Sequence, residues 1–246
     1  MEETASFAEG DEIFIDPVVL TREPDGPEMT DHRVDWKKQY EIWNHANGII
    51  SSPCPSQQDL VVAIIQLQRA VELRDKMLDE LYSFTKIPNK TAKAPYPIME
   101  DLGIIRPTMK VRLRELRNRL AHDTEEPPLE RDACELLSDT AWYYLKATDR
   151  LTQQCVSVLD FNYWMEKTSV SMFSVRFDRT TWNAQVEGSV SPKLLVGKES
   201  ADCLSIRLRW SRIEAYNQDL KFRGDLTGSK TALDKLTRYF FDESVL

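Results

Sequence analysis

The apolar residues of this 246-residue chain keep a helical period up to about Leu159 and a period of two after about Lys167. A helix buries one stripe and a strand buries alternate residues, so the switch marks segments that must pack in different ways. From Arg33 to about Ile50, Trp36, Tyr40 and Trp43 fall on one helix face, a packing stripe rather than a base-stacking one. Ser51 to Pro55 interrupts that helix. Ser56-Gln57-Gln58-Asp59 then forms a capping box, which opens a helix running to about Phe84. Its buried stripe is Leu60, Ile64, Leu67, Val71, Leu78 and Leu81. Residues 85–97, with three prolines and three lysines, read as a loop. A short helix over Ile98 to Leu102 is stopped by Gly103, and Pro107 suits the first turn of a helix reaching His122. After a turn at Asp123 to Pro128, a long helix is expected from Leu129 to about Leu159.

Beyond Lys167, Val170, Met172, Val175 and Phe177 roughly alternate, as do Trp182, Ala184 and Val186, then Leu204, Ile206, Leu208 and Trp210. These predict half-buried antiparallel strands, with a turn at Asp178-Arg179. Arg207 and Arg209 should project from the face opposite the core, and a last helix from Thr231 buries Leu233, Leu236 and Phe240. Residues 1–32 are acidic at the start and broken by Pro17, Pro24, Gly26 and Pro27, so they read as an extended arm with no core of its own. The expected architecture is α+β and multidomain. It comprises the arm at 1–32, an all-α helical bundle at 33–165 and a small antiparallel α+β domain at 168–246.

Hydrophobic content of 41% with 29% charged residues is globular composition, and the length allows a real core. The longest apolar stretch, Leu60 to Ile65, is too short to cross a bilayer, and the acidic N-terminus lacks the basic start of a signal peptide. A cytoplasmic protein without a membrane partner is expected. Cys54, Cys134, Cys155 and Cys203 stand apart, with no C-x-x-C pair and no histidine at ligand spacing. They point to reduced thiols, and neither a metal nor a cofactor is expected. A net charge of −8 excludes a general nucleic-acid coat, because phosphate neutralisation drives that kind of binding. No P-loop, G-x-G-x-x-G, G-x-S-x-G or H-E-x-x-H motif is present.

The stretch Pro107 to Asp123, PTMKVRLRELRNRLAHD, is the exception to this acidity. On a helix Met109, Leu113, Leu116 and Leu120 share a core stripe, while Lys110, Arg114 and Arg117 form a second stripe about 100° away. Arg112 and Arg119 close the polar side, with Asn118 and His122 continuing around it. Such a local cationic field suits a phosphate backbone, and Lys110, Arg112, Arg114 and Arg119 are the candidate RNA contacts.

Arg117-Asn-Arg-Leu-Ala-His122 resembles the R-x-x-x-x-H motif of the HEPN superfamily, with a polar residue after the arginine and a small-His-polar ending. The resemblance covers about residues 35–160 and does not reach the C-terminal segment. It implies a metal-independent endoribonuclease in which His122 exchanges the proton, Arg117 stabilises the charged phosphorane and Asn118 orients the imidazole or donates to phosphate. The products would be a 2′,3′-cyclic phosphate and a 5′-hydroxyl. On a straight helix Arg117 and His122 diverge by about 140°, so one copy offers half a site and a two-fold axis would supply the rest. HEPN nucleases are similar in building a composite site across a homodimer. The resemblance implies RNA as substrate, an antitoxin or other regulatory protein as partner, and a setting in toxin–antitoxin or antiviral defence. It equally admits a non-catalytic HEPN RNA-binding or dimerisation module whose C-terminal domain senses a partner or ligand. His32 and His45, without clustered partners in sequence, read as structural or surface residues.

Overall fold

The computed structural model describes residues 7–25, 27–32, 34–106, 111, 129–166, 169–198, 202–214, 218–228 and 230–245. Among them, seven strands form one antiparallel sheet: β1 (Glu12–Ile15), β2 (Glu28–Asp31), β3 (Gln154–Glu166), β4 (Ser169–Phe177), β5 (Ala184–Val190), β6 (Leu204–Ile213) and β7 (Leu220–Leu226). Their order across the sheet is β1-β6-β7-β5-β4-β3-β2. The helices are α1 (Lys38–Ile50), α2 (Gln57–Tyr82), α3 (Pro95–Asp101), α4 (Arg131–Ala147), α5 (Asp149–Gln153) and α6 (Lys230–Val245). Helices α1, α2 and α4 pack on one another, while α6 lies against β3.

This mixed α+β fold overturns the expected all-α N-terminal bundle followed by a small domain. The sheet takes strands from both ends of the chain: β1 pairs with β6 and β2 pairs with β3. Ile13 and Ile15 alternate into the core, and a 3₁₀ turn at Pro17–Leu20 buries Val19 and Leu20. Two four-residue strands are too short for their period to stand out against the flanking prolines. The second cause lies at the end of the long predicted helix. Helix α4 stops at Ala147, α5 adds little more than a turn, and Gln154 already begins β3. No glycine or proline marks that stop, and Thr148 leaves the helix with φ −106° and ψ 1°. Leu151, Cys155 and Leu159 recur every four residues, a spacing that a helix also satisfies. The β-branched and aromatic run of Val156, Val158, Phe161 and Tyr163 decides for a strand.

Other elements follow their local chemistry. Ser56 accepts from the Asp59 amide while Asp59 accepts from the Ser56 amide, so the capping box starts α2 as expected. Leu60, Ile64, Leu67, Val71 and Leu78 are buried along α2, each burial contributing about 1.5–3 kcal/mol. Gly103 sits at φ +78°, a left-handed conformation that ends the α3 region without strain. At the meeting of helices and sheet, Tyr82, Phe84, Trp182, Phe240 and Phe241 form an aromatic cluster, and Trp182 Nε1 donates to the Tyr82 carbonyl at 2.6 Å. One continuous hydrophobic core runs through helices and sheet.

Candidate functional site

The residues singled out by the motif, Arg117, Asn118 and His122, lie outside the described residues, as do Lys110, Arg112, Arg114 and Arg119. The described shoulders of that segment are both fastened to the helices. On one side Ile104 and Ile105 are buried in the core, and the Arg106 carbonyl accepts from the Tyr96 hydroxyl at 3.4 Å. On the other, the Gln57 side chain grips the Leu129 backbone, accepting from its N–H at 2.7 Å and donating to its carbonyl at 3.1 Å. Gln57 is the first residue of α2, so the capped end of that helix holds the segment's exit.

Beside this frame, α1, α2, α4 and α5 share a polar network. Arg74 on α2 is fully buried, and it donates to Asp149, to the Leu145 carbonyl and to the hydroxyls of Thr148 and Thr152. Asp149 also accepts from Tyr40, whose phenol burial and this carboxylate push to a higher pKa. Trp43 Nε1 donates to the Ser138 carbonyl at 2.8 Å. Tyr40 and Trp43 are therefore committed to helix packing, as their spacing indicated. The network ties the helices together.

A second cluster forms where β2 ends. His32 contacts the Tyr82 hydroxyl at 3.3 Å and Arg179 at 3.2 Å. With the proton on Nε2, the imidazole donates to Tyr82, which donates onward to the Leu151 carbonyl, while Nδ1 accepts from Arg179. Burial first, then the Arg179 charge, lower the His32 pKa to about 4. A histidine held neutral in this way is a structural acceptor, consistent with its reading from sequence. Its partners come from the last residue of α2 and a turn distant in the chain, so no local pattern reveals them. Among the described residues no group of His, Cys, Asp and Glu is arranged to hold a metal ion.

The remaining feature is the sheet face turned away from the core. Register aligns its outward side chains into cross-strand rows. One row runs Arg212, Lys221, Ser189, Met172 and Asn162 across β6, β7, β5, β4 and β3. The next runs Trp210, Arg223, Glu187, Ser174 and Asp160. A third runs Glu12, Arg207, Asp225, Gln185 and Arg176 across β1, β6, β7, β5 and β4. Arg223 pairs with Glu187 at 2.7 Å, and Arg209 pairs with Asp225 at 2.7 Å. A groove of about 880 Å³ lies over the first two rows.

Arg207 and Arg209 project outward as expected, but Trp210 does not face the core. A register shift between Leu208 and Trp210 reverses the alternation, leaving Trp210 opposite Arg223 and 51% exposed. The signal was present in the sequence, since Ile213 is out of phase with Leu204, Ile206 and Leu208. Met172 is likewise outward and 55% exposed, because Phe173, Val175 and Phe177 set the inward phase of β4.

No protein-family model matches this sequence, and no curated protein matches it. Among solved structures, a membrane fusion protein from Streptococcus pneumoniae aligns over 91% of this chain and 90% of its own at 12% identity. Its TM-score of 0.16 gives that alignment no weight for fold or function. No helix among the described residues is long and apolar enough to cross a membrane.

Proposed function

We propose that this chain, a mixed α+β fold, is a metal-independent endoribonuclease of HEPN type. The observation that carries the reading is the sequence Arg117-Asn-Arg-Leu-Ala-His-Asp123, a concentrated cationic segment in a chain of net charge −8. Support comes from its setting: long helices α1 and α2 precede it, α4 follows it, and its described shoulders are fixed to α3 and α2. In this reading His122 serves as acid or base, Arg117 neutralises the phosphorane, and Asn118 orients the imidazole or donates to the phosphate. Lys110, Arg112, Arg114 and Arg119 hold the RNA backbone. Two copies complete the site, so the active species is a homodimer. The cysteines are free thiols, which supports a reducing cytoplasm, and a toxin–antitoxin or antiviral role supplies the setting and a regulatory partner.

The test is cleavage of end-labelled RNA in EDTA. Wild-type protein should leave 2′,3′-cyclic phosphate ends, and His122→Ala and Arg117→Ala should each lower the rate by about 10²–10⁴-fold. Full activity in a folded His122→Ala protein overturns the assignment. A second reading, a non-catalytic RNA-binding or dimerisation module, is favoured by the exposed apolar side chains on the open sheet face. Binding of RNA without cleavage by the wild type selects it.

A further inference from the structure

The outward sheet face is charged unevenly. On the β6–β7 side stand Arg207, Arg209, Arg212, Lys221 and Arg223, of which Arg209, Lys221 and Arg223 are paired with Asp225, Glu214 and Glu187 and Arg207 and Arg212 carry the excess. On the opposite side, around β3 and β2, stand Asp160 and Glu28, with Asp25 beside them at the groove. Between them stand Ser189, Gln185 and Ser174, with Glu187 bound to Arg223 and one further cation, Arg176 on β4, beside Asp160 and Glu28. Superimposed on this gradient are large apolar side chains in water, Trp210 on β6, Met172 on β4 and Trp164 on β3, exposed at 51%, 55% and 53%. Three such residues on one face of a sheet mark a contact surface rather than scattered surface apolarity.

From this we infer that the open sheet face binds a second copy of this chain, related by a two-fold axis running parallel to the strands over β5. The charge pattern selects both the partner and the axis. Two-fold rotation about a line along β5 places the β6 side of one copy over the β3 side of the other, so each cationic edge meets a carboxylate edge twice. An axis across the strands would stack β6 on β6 and set cation against cation. The chosen axis also carries each Trp210 over the strand that bears the other copy's Trp164. Met172 then lies over β7, where the stems of Lys221 and Arg223 can cover it. Five strands about 4.8 Å apart and three rows give a face of roughly 25 by 20 Å. With side-chain relief, that area approaches the about 800 Å² per partner of a standard interface. RNA suits the face less well, because Asp160, Glu187, Asp225 and Glu28 stand among its cations and would repel a phosphate chain.

This interface is separate from the helical one invoked for the nuclease, and sedimentation of the full-length chain tests it independently of RNA cleavage. Arg212→Glu with Lys221→Glu reverses the cationic side, and Asp160→Lys with Glu28→Lys reverses the acidic side. Each double variant alone should halve the assembly mass seen for wild type at micromolar concentration, with dissociation at least 10-fold stronger. Mixed together, the two variants should restore that mass, because both contacts of the hetero-pair are again attractive. The complementation also guards against misfolding, since two unfolded chains would not rescue each other. Met172→Glu should dissociate the pair whether or not salt is present. A wild-type chain with the same mass as all of these variants overturns the inference. So does a mixture that fails to reassociate while both variants stay folded by circular dichroism. RNA affinity that falls with the first double variant and rises with the second, at unchanged mass, would also overturn it, assigning the face to nucleic acid.

Discussion

Arg74 and Asp149 approach to 3.2 Å across the junction of α2 and α5, with the Arg74 side chain wholly enclosed and Asp149 17% exposed. Removing one member of a buried pair leaves the other charge uncompensated, and the cost is greatest when the charge left behind is the wholly enclosed one. Asp149→Ala should therefore destabilise the chain by about 3–5 kcal/mol. Arg74→Met, which matches the length of the arginine stem, should cost less, since Asp149 keeps Tyr40 and Lys146 as partners. Urea denaturation of both variants decides the order. Equal losses would mean that the network acts by packing alone.

Among the described glycines, Gly188 on β5 has the least room for a side chain. A Cβ built there would lie 2.2 Å from the Met172 carbonyl oxygen and 2.5 Å from the Phe173 Cα, and backbone cannot step aside as a side chain can. Gly188→Ala should cost at least about 1–3 kcal/mol and push β4 away from β5. Gly48→Ala on α1 is the control, because nothing lies within 4 Å of its added Cβ, and it should stabilise by up to about 1 kcal/mol. Comparable effects at the two glycines would contradict the close approach of β4 and β5.

His32 makes the fold sensitive to acid. Its pKa falls from 6.5 to about 4 on folding, so between those values the unfolded chain holds a proton that the folded chain refuses. The neutral histidine's contribution is complete above about pH 6.5 and is lost progressively as pH falls towards 4. After allowance for solvent screening at a partly buried site, the loss is on the order of 1–2 kcal/mol. Arg179→Met removes the second cause but leaves burial, the first, so NMR titration should show His32 protonating at a higher pH while staying below 6.5. An ordinary His32 titration in the wild type would contradict the contacts to Tyr82 and Arg179.

The sequence is most legible where one rule acts alone. The capping box at Ser56 and Asp59 and the α2 stripe could be named residue by residue, because spacing and capping agree there. Legibility fails where two periods fit the same residues, as at Leu151, Cys155 and Leu159, and where a strand of four residues gains its stability from distant pairing, as β1 does on β6. The outward arginines of β6 were readable from alternation, but one extra residue at the bulge moved Trp210 from core to surface. The candidate nuclease residues were legible as a motif of side-chain types. The open sheet face was not, since its rows come from strands aligned by register across the whole C-terminal half.

The Gln57–Leu129 clamp connects the helical frame to the motif segment and allows the two to be tested together. Gln57 makes a reciprocal pair of hydrogen bonds to one residue's backbone, at 2.7 and 3.1 Å, on an exposed part of the surface. Each such bond contributes about 0.5–1.5 kcal/mol net, so Gln57→Ala should cost little more than about 1–2 kcal/mol of global stability. Its local effect should be larger: the Leu129 amide loses its acceptor and should exchange with deuterium faster, while amides in the middle of α2 stay protected. Gln57→Glu retains an acceptor for the Leu129 N–H but loses the donor to its carbonyl, and should fall between the two. If Arg117 to His122 form the nuclease site, RNA cleavage should fall in the same order as Leu129 protection, with the melting temperature nearly constant. Faster exchange at Leu129 with cleavage unchanged would show that the site is positioned independently of α2. Unchanged exchange at Leu129 in Gln57→Ala would rule out the clamp itself.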